Sequence, residues 1–436
     1  MNPPAMGLSS QRATNPAVMR SVLHRLWSEP WLWSAGSQAL SSGMSLIVSV
    51  IAARLLGVAD FGAYVLIHAG VVILAVLQYQ IVAGPMMIVS GHRTRSPSYF
   101  GTVARAALLV SLAIGVVIAI YCAALIERPG TGGFGLPAAA FVFALGFVSQ
   151  DNAKRLAFAM GRPRSAFAYE ALRHVLFVVA VAAIWWLGRI DTAILLACGG
   201  VSAMVAALPI YLPILGARSR GGLRRVVGRH HWLLGRWLAL VVFVSAAHEQ
   251  VVTILAGSWI NAEASAGLRA AQVLLGPLLV LMTSLENIVP RQAARRFREG
   301  GREALAAYLT RVLLMIEVPV VVVCAVIGVY SADILRLLMG PGFASFATVS
   351  AIIVIGPPIT LAREFGVIYL RTTRNTHGIF LAFSASALVT VAAIYPLIRT
   401  YGVEGAAWAT ILGHAVSTAV ILYQVWRLRP SGATVA

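Results

Sequence analysis

The chain has 436 residues, of which 59% are hydrophobic and only 11% are charged, and its formal net charge is +19. An ordinary soluble protein has about 25% charged residues, so this composition excludes a typical water-soluble domain and indicates a protein that crosses the membrane many times. Basic connections next to anionic lipid headgroups explain the positive charge, so we expect membrane lipids and not nucleic acid as partners.

About twelve apolar stretches are long enough to cross a bilayer core of about 30 Å, which takes about 20 helical residues. They predict an all-α polytopic membrane protein. A long connection near the middle of the chain divides them into two pseudo-symmetric six-helix lobes, a layout in which the binding site lies between the lobes. The predicted spans are residues 31–53, 64–90, 101–126, 135–158, 166–187, 190–216, 237–260, 268–290, 307–329, 346–370, 378–398 and 405–426.

The positions of arginine and lysine predict the orientation of the chain. When the spans are threaded in order, the connections on one side hold six of the 34 Lys and Arg residues, and the other connections and both termini hold the remaining ones. Because Lys and Arg stay on the cytoplasmic side, we predict a bacterial inner-membrane protein with both termini in the cytoplasm. The six arginines assigned to outer connections, each with an acidic neighbour, are Arg54, Arg128, Arg189, Arg269, Arg336 and Arg399.

The same threading divides the chain into five parts. The basic connection between the lobes alternates arginines with apolar residues such as Val226 and Leu233, the pattern of an amphipathic helix at the membrane surface. The parts are a cytoplasmic segment (residues 1–30), an N-terminal lobe (31–216), the basic linker (217–236), a C-terminal lobe (237–426) and a cytoplasmic tail (427–436).

Ionisable side chains inside the spans are candidate site residues, because each costs at least about 2.5–3.5 kcal/mol to insert. The fourth span ends with Gln150, Lys154 and Arg155, and Asp151 is placed to pair with Arg155 one helical turn later. Two interpretations are open for this group. Its members face a cavity, or their long side chains extend to the membrane surface.

Two further spans combine charge with a second signal. In the fifth span, Glu170, Arg173 and His174 share one helix face, so Arg173 is a candidate for binding an anion, although Glu170 could simply neutralise it. In the tenth span, Arg363 follows the Gly-Pro-Pro sequence at 356–358, which interrupts helical hydrogen bonding. A broken helix beside a charge indicates a binding site or hinge, and a plain kink is the alternative.

Acidic residues deep in the C-terminal lobe are candidates for proton coupling. Glu249, near the middle of the seventh span, is the candidate cavity residue, whereas His248 is expected to pack in the core. Glu286 lies near the inner end of the eighth span and Glu317 lies deep in the ninth. The first span has small polar residues instead, which permit close helix packing and need not line a cavity: Ser34, Ser37, Gln38, Ser41 and Ser42.

No sequence pattern for a cofactor or metal is present. The chain lacks a phosphate-binding glycine loop followed by Lys-Ser/Thr, and Cys122, Cys198 and Cys324 are too far apart for a metal site or disulfide framework. We therefore expect no cofactor, and we expect the energy source to be an ion gradient, the substrate gradient or a partner.

Four short motifs resemble those of one transporter family. The segment RLLGVADFGAY at 54–64 resembles the R-x-L-G-x-x-x-F-G-x-Y signature of polysaccharide (O-antigen type) flippases in the multidrug/oligosaccharidyl-lipid/polysaccharide exporter superfamily. Residues 154–163 resemble the basic end of the fourth helix in that family. Residues 339–343 resemble its turn before the tenth helix, and residues 401–407 resemble the start of its twelfth.

The resemblance implies a V-shaped, two-lobed bundle that works by alternating access. The implied substrate is an oligosaccharide on a polyprenyl diphosphate, moved from the inner to the outer leaflet for polysaccharide or lipopolysaccharide export. We expect a monomeric transport unit, with polysaccharide polymerase and export machinery as further partners. The candidate substrate-binding residues are Gln150, Lys154, Arg155, Arg173, Glu249 and Arg363, and those for proton coupling are Glu249, Glu286 and Glu317.

Other functions stay open. A drug exporter of the same superfamily resembles this chain, but such relatives have acidic residues in the first helix, and residues 31–53 have none. A peptidoglycan-precursor flippase usually resembles a longer, fourteen-helix chain. A membrane polymerase or ligase resembles proteins with a large outer loop, and every outer connection here is short. A scaffold subunit without transport activity is the last alternative.

Overall fold

The computed structural model describes residues 30–92, 96–126, 135–188, 190–217 and 221–428, and these residues form an all-helical bundle. Short π-helical and 3-10 segments, Tyr79–Ala83 and Pro341–Phe346, join some of the α-helices. The α-helices are α1 (Pro30–Gln78), α2 (Gly84–His92), α3 (Pro97–Leu125), α4 (Gly135–Ala159), α5 (Pro163–Trp186), α6 (Thr192–Leu215), α7 (Gly221–Trp259), α8 (Ala262–Leu274), α9 (Gly276–Val329), α10 (Ser331–Met339), α11 (Ala347–Ile353), α12 (Gly356–Thr372) and α13 (Thr376–Arg427).

Three of these helices fold back at a glycine. The 49 residues of α1 would extend about 74 Å as one rod at about 1.5 Å per residue, more than twice a bilayer core. Gly57 interrupts α1 with φ 74° and ψ −178°, a conformation essentially confined to glycine. Gly301 in α9 (φ 64°) and Gly402 in α13 (φ 58°) make the corresponding breaks.

These breaks explain why the structure has fewer long helices than the sequence has predicted spans. Within the described residues, seven helices are long and apolar enough to cross a membrane by length and composition. Since α1, α9 and α13 are each interrupted at a glycine, each of them holds all or part of two predicted spans. The predicted spans 64–90, 268–290 and 346–370 each cross a break between helical elements. The predicted all-α polytopic fold is confirmed.

Local sequence signals set where several helices begin. The side chains of Asp191, Asn261 and Asn375 each accept a hydrogen bond from a backbone N–H in the first turn of α6, α8 and α13. Such caps satisfy amide groups that have no partner within the helix. Pro97 and Pro163 occupy the first turns of α3 and α5, where the missing N–H costs nothing.

The N-terminal lobe packs through small residues. Helices α4 and α6 approach so closely that a Cβ atom on Gly146 or Gly200 would overlap the backbone of the other helix. Close backbone approach of this kind is how membrane helices gain packing energy when lipid is as apolar as their side chains. The lobe core continues through Phe143, Val148 and Leu196, all of which are buried.

The C-terminal lobe is organised around α12 and α13. Gly366 of α12 faces Ile421 of α13 with no space for a Cβ atom. Leu361, Phe365 and Leu370 are buried in the same core. On the outside of both lobes large apolar side chains are exposed, as expected of surfaces that face lipid: Leu109, Ile120, Val179, Met315, Val322 and Leu388.

The two lobes are in tight contact at the end of the bundle where Gly57 lies. Phe61 packs edge-to-face against Phe343, with ring centroids 5.7 Å apart. A Cβ atom on Gly62 would overlap the carbonyl group of Ala262. Arg54 donates hydrogen bonds to the carbonyl oxygens of two residues at the end of α10. We call this set of contacts the lobe seal, and it comprises Arg54, Phe61, Gly62, Ala262, Leu337, Leu338 and Phe343.

Candidate substrate-binding site

Two adjoining cavities lie between the lobes. The first, of about 210 Å³, lies mainly in the N-terminal lobe. The second, of about 530 Å³, lies mainly in the C-terminal lobe. We call them the N-chamber and the C-chamber. Because they share wall residues they form one divided site, and the shared residues are Ser41, Ser45, Gln250, Arg269 and Gln272.

The N-chamber has an aromatic wall. Tyr64 and His68, one turn apart on α1, have ring centroids 6.0 Å apart. The ring of His68 lies 5.8 Å from that of Phe147, and Phe147 lies 5.8 Å from Phe143. These separations are typical of aromatic pairs in contact. The wall therefore offers flat apolar faces to an occupant.

Arg173 places a positive charge in the N-chamber, and residues behind the chamber wall hold its guanidinium in position. Its guanidinium donates to the Glu170 carboxylate at 3.1 Å and lies 5.9 Å from the Phe147 ring centroid. Glu170 has no exposed side-chain surface. It also accepts a 2.6 Å hydrogen bond from Gln150 and lies 3.7 Å from the ammonium group of Lys154. This packing fixes Arg173 in place.

The remaining basic residues of α4 stand behind the chamber wall. Arg155 pairs with Asp151 at 2.7 Å and covers the ring of Tyr79 at 4.0 Å. Neither Arg155, Lys154 nor Gln150 lines either chamber. With His174 counted as neutral, the three cations Lys154, Arg155 and Arg173 outnumber the two carboxylates Asp151 and Glu170. The cluster keeps one net positive charge, and among these five side chains only Arg173 reaches the N-chamber.

Arg269 supplies the second cation, and our prediction for it was wrong. We predicted that Arg269 lies in an outer connection, close to Glu263. Because α8 begins at Ala262, Arg269 instead lies about two turns into the helix. Its guanidinium donates to the hydroxyls of Ser49 at 3.1 Å and Ser45 at 3.3 Å. Within the described part of the chain, no carboxylate forms an ion pair with it.

Serines of the first span do line both chambers, although the sequence left that open. Ser41 and Ser45 border the N-chamber and the C-chamber, and Ser42 borders the C-chamber. Their small side chains also leave space for the guanidinium of Arg269. Cavity lining and close packing are therefore compatible roles for this stripe.

The C-chamber contains a neutral pair. The Arg363 guanidinium contacts the Glu364 carboxylate at 3.0 and 3.1 Å. It also lies 3.4 Å from His414 and 3.4 Å from the hydroxyl of Ser417. The helix break predicted at 356–358 is present between α11 and α12, and Gly356 and Pro357 border the chamber. Apart from the shared Arg269, the described walls of the C-chamber carry no net charge.

The predicted proton-coupling residues lie elsewhere or outside the described residues. Glu317 is half-buried in α9 and borders neither chamber. The side chains of Glu249, Glu286 and His248 fall outside the described residues.

We did not predict three functional candidates in the N-chamber from the sequence, namely Tyr64, His68 and Arg269. The offset of four between Tyr64 and His68 was a readable signal, because it places both rings on one helix face. Arg269 could have been found from Asn261, whose capping preference moves the start of α8 ahead of the arginine.

No protein-family model matches this sequence, and no curated protein matches it. Solved structures do match. The lipid II flippase MurJ in an inward closed conformation is 13% identical with a TM-score of 0.70, over 91% of this chain and 87% of that one. An inward-facing multidrug resistance MATE family transporter of the MOP superfamily is 14% identical with a TM-score of 0.64, over 93% and 97%. An outward-facing MATE family transporter gives a TM-score of 0.55 at 14% identity, over 91% and 93%. The chain therefore has the two-lobed helical fold of these transporters.

Proposed function

We propose that this protein is a flippase that moves a polyprenyl-diphosphate-linked oligosaccharide from the cytoplasmic to the outer leaflet of the inner membrane. One observation carries the proposal: the N-chamber presents Arg173 and Arg269, and no described carboxylate lines it. Arg269 has no carboxylate partner among the described residues, and the cluster around Arg173 keeps one net positive charge. Such charges within a membrane protein are costly and mark substrate pathways. An anionic substrate is the partner that offsets that cost.

The chemistry of a diphosphate fits this site. A guanidinium forms two parallel hydrogen bonds with a phosphate group, and charge-assisted bonds of this kind are stronger than neutral ones. Arg269 and Arg173 both line the N-chamber together with Tyr64 and His68, so the two positive charges face one cavity. Two positive charges match the two negative charges that a diphosphate diester carries.

The lobe seal supports a direction of transport. Arginine and lysine distribution assigns the Gly57 end of the bundle to the outer face of the membrane. With the seal closed there, a substrate reaches the chambers from the cytoplasmic side. Alternating access then requires the seal to open.

Proton coupling is the energy source we favour within this proposal. Glu317 is a carboxyl group among apolar neighbours in α9, and one of its oxygens is buried without a hydrogen-bond partner in the described structure. A carboxyl group in such surroundings is able to alternate between a protonated and an ionised form as access changes. Glu249 and Glu286 remain candidates on sequence grounds.

A drug exporter is the second candidate, because MATE transporters share the fold and an aromatic wall suits planar molecules. Two observations count against a cationic drug. Both N-chamber arginines would repel it, and the first span lacks an acidic residue. A neutral or anionic drug would meet neither obstacle.

Reconstitution into liposomes tests the proposal directly. A lipid-linked oligosaccharide is placed in both leaflets, and a membrane-impermeant enzyme that modifies the sugar reports the fraction in the outer leaflet over time. We expect the wild-type protein to let the whole pool react, and we expect Arg269→Gln to leave most of the inner-leaflet lipid protected over the time that the wild-type reaction takes. Lipid II is tested alongside, since MurJ is a lipid II flippase.

The same liposome assay can also contradict the flippase proposal. If the wild-type protein leaves the inner-leaflet half of each lipid-linked sugar protected but transports a dye or drug, it is an exporter of the second kind. A cell lacking the gene gives an independent readout. Accumulation of the glycan lipid on the inner face supports the flippase, whereas unpolymerised glycan on the outer face favours a polymerase or ligase.

A further inference from the structure

We propose that the C-chamber is a separate subsite that binds the uncharged, hydroxyl-rich sugar part of the substrate, while the N-chamber binds the diphosphate. This inference rests on the proposed function and deepens it. It also changes the role that the sequence suggested for Arg363, from an anion-binding residue to a sugar-binding one.

Charge is the first difference between the chambers. In the C-chamber, Arg363 is already paired with Glu364 at 3.0 Å, and the two side chains are 15% and 23% exposed. A phosphate approaching Arg363 would meet the Glu364 carboxylate beside it, and like charges at that distance repel. In the N-chamber, Glu170 stays behind Arg173 with no exposed side-chain surface, so the occupant meets only the cation.

Hydrogen-bonding capacity is the second difference. Sugar hydroxyls both donate and accept, and serine, threonine and glutamine side chains do the same. The hydroxyls of Thr360 and Thr410 donate to carbonyls of their own helices, which leaves oxygen lone pairs to accept from an occupant. Polar groups buried in a membrane protein are costly unless they are paired. The polar residues bordering the C-chamber are Ser41, Ser42, Ser45, Gln250, Gln272, Thr360, Thr410 and His414.

The helix break adds a backbone acceptor. Pro357 has no N–H group, so the α-helical hydrogen bond from residue 357 to the carbonyl of Ile353 cannot form. Ile353 borders the C-chamber together with Pro357. The carbonyl of Ile353 therefore lacks its usual helical donor, and we count it among the groups to which a sugar hydroxyl can donate.

The size of the C-chamber and its position next to the N-chamber also fit a sugar. The C-chamber has more than twice the volume of the N-chamber, about 530 Å³ against about 210 Å³. The chambers meet at Arg269. A diphosphate bound by Arg269 and Arg173 therefore leaves the attached sugars beside the opening of the larger chamber.

Binding of two matched lipids tests the inference. Purified protein in lipid nanodiscs is titrated with a polyprenyl diphosphate that carries no sugar, and with the same lipid carrying a neutral disaccharide. We expect the sugar to strengthen binding by about tenfold, the equivalent of one to two net hydrogen bonds. Arg173→Gln should weaken binding of both lipids by a similar factor.

The decisive variant is R363Q/E364Q, which removes the pair without changing the net charge. We expect it to lose most of the tenfold gain from the sugar and to bind the sugar-free lipid within about twofold of wild type. Thr360→Val is a near-isosteric second variant should the double variant fold poorly. Thr400→Val is the matched control, because Thr400 is exposed on α13 and bonded to its own helix.

The outcomes separate the two proposals. If the wild-type protein binds both lipids equally, the sugar subsite is wrong while the flippase proposal stands. The subsite is also wrong if R363Q/E364Q weakens both lipids alike, since the C-chamber then binds the phosphate. If the wild-type protein binds neither lipid, the proposed function itself fails.

Discussion

The guanidinium of Arg54, in the N-terminal lobe, donates a 2.8 Å hydrogen bond to the carbonyl oxygen of Leu338 in the C-terminal lobe. The same group also bonds the carbonyl of Leu337. Both acceptors lie in the last turn of α10, where helix carbonyls lack intrahelical donors and the helix dipole favours a cation. Arg54 thus contributes the hydrogen bonds of the lobe seal at the end of a short helix, beside the packing of Phe61 and Gly62.

Arg54→Ala should shift the protein toward the state in which this end is open. Losing charge-assisted hydrogen bonds of about 1.5–3 kcal/mol each changes a two-state population by about tenfold or more. Spin labels at Asp60 and Ser345 would report a longer distance by pulsed electron resonance. Arg336→Ala is the control, since Arg336 is an exposed arginine on α10. An unchanged distance distribution for Arg54→Ala would show that the seal does not depend on this residue.

Gly62→Ala should prevent the seal from closing normally. The added Cβ atom would overlap the carbonyl of Ala262, and backbone cannot move aside as a flexible side chain can. We expect a lower melting temperature or loss of transport. Gly43→Ala in the same helix is the control, because no atom lies within 4 Å of the new Cβ position. Equal behaviour of the two variants would contradict the close approach of the lobes.

Arg269→Gln should reduce transport by about 10- to 100-fold, because it removes a charge-assisted contact of about 1.5–3 kcal/mol. Arg269→Lys should recover only part of the activity, since an ammonium group cannot make the planar two-point contact with phosphate. Initial rates in liposomes measure both effects. Arg311→Gln, on the exposed face of α9, should leave the rate unchanged. Full activity of Arg269→Gln would remove this residue from the proposed site.

Glu170→Gln should destabilise the folded protein. Removing one partner from a buried ion pair costs about 3–5 kcal/mol. Glu170 has no exposed side-chain surface and its partner Arg173 is 15% exposed, so we expect a loss toward the lower end of that range. Asp151→Asn is the control, because its carboxylate is 26% exposed and partly exposed pairs contribute about 1 kcal/mol or less. Thermal unfolding in detergent compares the two variants.

Combining Glu170→Gln with Arg173→Gln separates stability from transport. The double variant should recover part of the melting temperature, because the unpaired buried cation is gone. It should not recover transport, since the N-chamber then lacks one arginine. Recovery of both would mean that Arg173 serves only the fold.

Glu317→Gln should abolish any dependence of transport on a proton gradient, if Glu317 carries the coupled proton. Liposomes with and without an imposed pH difference give the measurement. Glu303→Gln, on the exposed start of the same helical segment, is the matched control. A variant that still responds to the gradient would move the coupling role to Glu249 or Glu286.

The sequence predicted the fold more completely than the site. Span positions follow from long apolar stretches that must satisfy their backbone within lipid, a strong and local constraint. The breaks at Gly57 and Gly402 also fall in predicted connections. Arg269 shows where this reasoning stops. The charge count placed Arg269 in a loop, because a hydropathy profile does not locate the start of a helix to within a few residues.

The two chambers depend on contacts between distant parts of the chain. Arg269 meets Ser49 across 220 residues, and no local pattern reports that distance. Arg173 was predictable as an unusual intramembrane charge, but its support by Gln150 and Lys154 arises only when α4 and α5 pack together. Charged residues that are costly to bury can therefore be identified from the sequence, whereas the cavity that they share cannot.

The hydrogen bonds from Arg269 to Ser45 and Ser49 join a helix of the C-terminal half to a helix of the N-terminal half. The two arginines of the N-chamber are consequently carried by different halves of the molecule. Any rocking of one half against the other must separate these charges and weaken their joint hold on an anion. Release of the substrate would then follow directly from the conformational change, and no separate residue would be needed to cause it.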